Sequence, residues 1–188
     1  MNGAGPGPVR GLNPNTDEET NMTEEKKPLV CVAMGSASDA DVMGGCTDTL
    51  KELAIPYEVR VISAHRTPDR AREVAEGAAG RGIEVVVAGA GWAAHLAGVI
   101  AAHTPLPVIG VPIDSSPLQG LDALLATVQM PPGVPVATMA LGKGGAKNAA
   151  VMAARILALK YPDVRSRLDS YREEMTRKVL EAAEGLES

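Results

Sequence analysis

Five times between Leu29 and Leu159, a short apolar run gives way to a loop of small residues and then to apolar residues at helical spacing. Leu29-Val30-Cys31-Val32-Ala33-Met34 is apolar throughout, as a strand buried on both faces requires. It ends in Gly35-Ser36-Ala37-Ser38-Asp39, after which Val42, Met43, Cys46, Leu50 and Leu53 recur three or four residues apart. Tyr57 to Ile62 leads through Ser63-Ala64-His65-Arg66-Thr67 into a helix over about Pro68 to Arg81, and Glu84 to Ala88 leads through Gly89-Ala90-Gly91-Trp92 into a helix through His103. Leu106 to Val111 precedes Asp114-Ser115-Ser116-Pro117 and a helical stretch from Leu121 to Thr127. Val134 to Ala140 precedes Leu141-Gly142-Lys143-Gly144-Gly145 and a helix from Ala146 to Leu159. Strand-then-helix units in series predict an α/β fold: a parallel sheet with right-handed crossovers and helices on both faces. The expected form is three-layered and flavodoxin-like, with strand order 2-1-3-4-5.

The rest of the chain fits one domain over residues 28–188. Residues 1–27 are rich in Gly, Pro, Asn, Thr and Glu without apolar periodicity, which predicts a disordered tail, and Met22 is a second candidate start. A C-terminal helix is expected over about Asp163 to Leu186. Its stripe of Val164, Leu168, Tyr171, Met175, Val179, Ala183 and Leu186 is long enough to serve both its own domain and a neighbouring subunit. Small residues on the helices around Ala93–Ala102 and Ala146–Ala154 permit close helix approach, and a homo-oligomer is predicted.

With no Phe, three Tyr and a single Trp, the core must be aliphatic. The formal net charge of -5 argues against a nucleic-acid surface. Two unpatterned cysteines make neither a disulfide framework nor a zinc site. The sequence has neither a run of about 18 apolar residues nor a secretory signal pattern, so no membrane contact and a cytoplasmic location are expected.

In open α/β sheets, ligands bind at the carboxyl ends of the strands. His65 and Arg66 stand at one such end, and single His-Arg pairs are also common in plain loops. Gly35 to Asp39 stands at another. Its backbone N–H groups and hydroxyls favour an anion, Asp39 suits ribose hydroxyls, and Ser38 or Asp39 also suits simple helix capping. Gly89-Ala90-Gly91-Trp92-Ala93-Ala94 has the form of a dinucleotide fingerprint, but it follows the third strand rather than the first, and only Asp114, beyond Pro112, could be its acidic partner. A close backbone approach to a planar ligand, with His95 nearby, is the stronger reading. His103 reads as an ordinary helix-end residue. Lys143 lies among glycines that do not complete a phosphate loop, so that segment reads as a flexible loop or a subunit contact.

Taken together, GSASD (35–39), SAHRTP (63–68), GAGWAAHLAG with VIAAHTPLPVIGVP (89–112), the run from Gly120 to Gly142 and KNAAVMAARILALKYP (147–162) resemble the 5-(carboxyamino)imidazole ribonucleotide mutase family, the small-subunit type of AIR carboxylase. The resemblance covers about Leu29 to Leu180. It departs at Trp92, where a small residue is common, and at Ala97, where Pro is common. A related class that carboxylates aminoimidazole ribonucleotide directly carries Lys where Arg66 stands.

The resemblance implies an isomerase of purine biosynthesis that moves a carboxylate from an exocyclic nitrogen to ring carbon 4, with neither metal nor organic cofactor. It implies a homo-octamer acting on a small ribonucleotide, and a possible hand-over of substrate from the ATP-dependent carboxylating enzyme. By the same resemblance, His65 would be the general acid/base, Ser38 and Arg66 would hold the phosphate, and Asp39 the ribose. Gly35, Ser36, Ser63, Ala64, Ala90, Gly91, His95 and Leu96 would complete the site, a dry pocket that confines carbon dioxide. The alternatives are the direct carboxylase, a non-catalytic sensor of a purine ribonucleotide, and a relative acting on another heteroaromatic nucleotide.

Overall fold

The computed structural model describes residues 1, 3 and 27–187, so almost all of the expected N-terminal tail, and Met22 with it, lies outside the described residues. Five parallel strands, β1 (Val30–Met34), β2 (Tyr57–Val61), β3 (Val85–Gly91), β4 (Val108–Ile113) and β5 (Ala137–Thr138), stand in the order β2-β1-β3-β4-β5. This is the predicted flavodoxin-like sheet. Helices α1 (Ala40–Glu52), α2 (Pro68–Glu76), α3 (Leu96–His103), α4 (Leu121–Val128), α5 (Gly142–Leu157) and α6 (Pro162–Glu187) supply the outer layers.

The pleat sorts each strand onto two cores. Val30, Val32, Val85, Val87 and Ile109 face Met43, Leu50 and the alanines of α5. Cys31, Ala33, Val86 and Ala88 face Leu96, Ala97 and Ile100. Both faces of the central strands β1, β3 and β4 are thus dry, which is why these strands are apolar without alternation, whereas edge strand β2 alternates. Full burial of a side chain such as Met43 is worth about 1.5 to 3 kcal/mol. Small residues set the spacing: a Cβ on Gly89 would run into Met43 Sδ, and one on Gly45 would sit 2.6 Å from the Lys143 carbonyl oxygen. The alanine stripe of α5, expected to permit close helix approach, is fully buried inside the chain, where α5 packs on α1.

Four expectations need correction. β5 is two residues long, not Val134 to Ala140: Pro135 supplies no N–H to a ladder, and only Ala137 and Thr138 pair, with Ile109 and Gly110. Gly89 to Gly91 belong to β3 and are not a loop, since Ala90 and Gly91 still pair with Pro112 and Ile113. α2 ends at Glu76, and a separate 3-10 turn covers Ala79–Arg81. Gly142 to Gly145 form the first turn of α5 instead of a flexible loop; Gly142 takes φ +70°, and any Cβ on Gly145 would strike the Ala140 carbonyl.

The stripe of α6 divides. Val164, Leu168 and Tyr171 are buried in the core, whereas Met175, Val179 and Leu186 are exposed. At the sheet edge, Glu58 on β2 accepts hydrogen bonds from Arg60 Nη2 at 2.5 Å and from Arg81 Nε and Nη2 at 3.2 and 3.0 Å. That network clamps the 3-10 turn to β2. Among the described residues no helix is long and apolar enough to cross a membrane, and no three His, Cys, Asp or Glu side chains gather as a metal site would require.

Candidate active site

β1 lies between β2 and β3, so the crossovers leave it in opposite directions and a crevice opens at its carboxyl end. The chain emerging from β1 turns at once. Gly35 N–H donates to the Gly89 carbonyl at 3.1 Å, and Ser36 then caps a short 3-10 turn, Ala37–Asp39. Ser36 N–H donates to Asp39 Oδ2 at 3.0 Å, while Ser36 Oγ accepts from Ser38 N–H at 3.3 Å and from the Ser38 hydroxyl at 2.9 Å. The capping reading and the ligand reading of these residues are therefore compatible. Asp39 is buried, and burial raises its carboxyl above the ordinary value against the opposing pull of Ser36 N–H and Arg66.

The loop after β2 is held by its own side chains. Ser63 N–H donates to Thr67 Oγ1 and the Thr67 hydroxyl donates back to the Ser63 carbonyl, each at 3.0 Å. Arg66 N–H reaches Ser63 Oγ at 3.2 Å, and Arg66 Nη2 donates to the Gly35 carbonyl at 3.2 Å, so the guanidinium spans the mouth between the first two strand ends. Pro68 at the first position of α2 ends the loop.

β3 supplies the far wall. Gly91 must lack a side chain because Ser115, arriving from β4, occupies that space. His95 opens α3, and His95 Nδ1 lies 2.8 Å from His65 Nε2 with the ring centroids 4.9 Å apart and the planes at 76°. One of these nitrogens must carry the hydrogen and the other must accept it. His65 Nδ1 and His95 Nε2 remain as the outer nitrogens of a coupled pair.

These strand ends enclose a cavity of about 550 Å³. All twelve residues singled out from the sequence line it: Gly35, Ser36, Ser38, Asp39, Ser63, Ala64, His65, Arg66, Ala90, Gly91, His95 and Leu96. Trp92, Ala93 and Ser115 line it as well. Ser115 was missed, although its place just past β4 obeys the same strand-end rule as the others. His103 lies elsewhere, with Nδ1 3.5 Å from Glu76 Oε1. Lys143 and Asp114 are not on the lining.

The arrangement offers a guanidinium beside hydroxyls for an anionic group, a buried carboxylate for sugar hydroxyls, and an imidazole pair for proton transfer. The expectation of a dry pocket is not met within the single chain. His65, Arg66, Trp92 and His95 are all exposed, at the mouth formed by the carboxyl ends of the strands.

Residues 29–178 match the AIR carboxylase family. The chain is 56% identical over 164 residues to the N5-carboxyaminoimidazole ribonucleotide mutase of Pyrococcus horikoshii, covering 87% of this chain and 92% of that one. It is 56% identical over 153 residues to the protein of the same name from Pseudomonas aeruginosa, covering 81% and 94%. The crystal structure of Treponema denticola PurE superposes with a TM-score of 0.77 at 29% identity, over 86% of this chain and 99% of that one.

Proposed function

Because the chain belongs to the AIR carboxylase family, we propose that it catalyses the isomerisation for which its mutase relatives are named. It moves the carboxylate of 5-(carboxyamino)imidazole ribonucleotide from the exocyclic nitrogen to ring carbon 4, a step of purine biosynthesis. The direct carboxylase reading is not favoured, since relatives more than half identical over most of the chain carry the mutase name.

The observation that carries the mechanism is the His65–His95 contact at the mouth of a cavity that also holds Arg66 and Asp39. Breaking the bond from exocyclic nitrogen to carboxyl carbon releases carbon dioxide and requires a proton on nitrogen. Carbon 4 then bonds to the carbon dioxide and loses its own proton. One proton goes on and one comes off, so a single imidazole, protonated at the start and again at the end, closes the cycle. His65 is that group, since an imidazole nitrogen can both donate and accept a proton. His95 holds the His65 ring through the shared hydrogen bond.

Arg66 and Ser38 bind the phosphate, and Asp39 accepts from the ribose. The Gly35, Ser36, Ser63 and Ala64 backbone lies beside them, and Ala90, Gly91 and Leu96 form the apolar wall against the ring. The chain works as a homo-octamer: the exposed Met175, Val179 and Leu186 of α6 and Leu121 and Leu125 of α4 support association with further copies. It acts in the cytoplasm, where unpaired Cys31 and Cys46 stay reduced. The open mouth of the site is compatible with transient hand-over of substrate from an ATP-dependent carboxylating enzyme.

The test is a pair of assays without ATP, one supplied with 5-(carboxyamino)imidazole ribonucleotide and the other with aminoimidazole ribonucleotide plus bicarbonate. Efficient formation of the carbon-4 carboxylate in the first is expected. Preference for the second would make the protein a carboxylase, and silence in both would remove the catalytic reading.

A further inference from the structure

Trp92 takes φ +55°, in the left-handed region that glycine enters freely and a bulky aromatic residue enters only at a cost. Its side chain is also left in water, with the residue 58% exposed. The free chain thus carries two unfavourable features at one position. That position is the mouth of the His65 cavity, directly after Gly91 at the end of β3 and three residues before His95. Apart from Leu96, which is buried, Trp92 is the one large apolar side chain on the lining. The chemistry assigned to the site needs such a group, because carbon dioxide freed beside exposed His65 and His95 would otherwise meet solvent.

We propose that Trp92 is a substrate-covering and specificity-determining residue, whose indole stacks on the open face of the bound imidazole ring and keeps water from the carbon dioxide in transit. This rests on the mutase reading. The escape that Trp92 prevents is balanced: the nitrogen–carbon bond breaks, the nitrogen takes a proton, and aminoimidazole ribonucleotide and carbon dioxide leave separately. Stacking of a base on an aromatic side chain is strong enough to read as about a tenfold change in affinity.

Trp92 is the chain's single tryptophan, so its fluorescence reports on this site alone. Titration with aminoimidazole ribonucleotide in the absence of bicarbonate should shift the emission to the blue and shield it from acrylamide. Trp92→Gly relieves the backbone and should leave Tm unchanged or raised. It should raise KM about tenfold and increase severalfold the share of 5-(carboxyamino)imidazole ribonucleotide lost as aminoimidazole ribonucleotide above the enzyme-free rate. Trp92→Phe should restore most of both. The proposal is overturned by emission that is already blue-shifted in the free protein, by emission that ignores the ligand, by Trp92→Gly with unchanged KM and loss, or by a marked fall in its Tm. Failure of the wild-type protein to form any carbon-4 carboxylate would instead reject the mutase reading, whatever the fluorescence does.

Discussion

His65 Nε2 lies 2.8 Å from His95 Nδ1, although 30 residues separate the two in the chain and they leave different strands. A hydrogen bond between two imidazoles couples their tautomers, so the pair behaves as one proton-handling unit. His95→Phe keeps a ring in place but removes the nitrogen. It should lower kcat by about 10²-fold, with a far smaller change in KM, and alter the pH profile of kcat. An unchanged profile with a raised KM would mean that His95 only lines the pocket.

Glu58 titrates differently. Burial works to raise its pKa, but hydrogen bonds from Arg60 and Arg81 prevail and hold it below the ordinary 4.5. A depressed carboxylate contributes stability above its unfolded value, and that contribution is lost as the pH falls through the folded value. Glu58→Gln should therefore cost about 1 kcal/mol at pH 7 and progressively less below pH 4.5, as read from denaturant midpoints at the two pH values.

Asp39 has the opposite sign. Burial raises its pKa above the ordinary 3.8, so a penalty on folding develops as the pH rises through the unfolded value and is complete above the folded value. Asp39→Asn can still accept from Ser36 N–H while carrying no charge. It should raise Tm at pH 7 and show no such gain below pH 3.8, yet bind the ribonucleotide more weakly.

Both thiols are buried, and burial pushes Cys31 and Cys46 up to about 12, with the Glu58 charge adding to the effect at Cys31. The native protein should resist iodoacetamide at pH 8, and alkylation should follow the unfolding transition. Prompt labelling of the native protein would contradict this packing.

Much of this was legible in the residues. The unbroken apolar run from Val30 to Met34, bounded by Pro28 and Gly35, reads as a strand covered on both faces, and the strand-end rule gathered His65, Arg66, Asp39 and His95 on one cavity. Glycine was the harder signal. Gly142 to Gly145 look like a loop in a sequence, because nothing local reveals that the Ala140 carbonyl forbids a side chain at Gly145. Ser115 carried a signal, its place just past β4, but its fit into the space that Gly91 leaves is a contact between strands that neither shows alone. Proline misled in the other direction, since Val134 to Ala140 has strand residues but Pro135 interrupts it, and only Ala137 and Thr138 pair with β4.

The central claim is that His65 moves the proton between exocyclic nitrogen and carbon 4. The direct test measures ribonucleotide binding and turnover together in His65→Asn, a change that keeps a polar side chain but removes the imidazole. Binding within a few-fold of wild type with turnover lowered by about 10² to 10⁴-fold is the predicted result. A variant that keeps most of its turnover would contradict it.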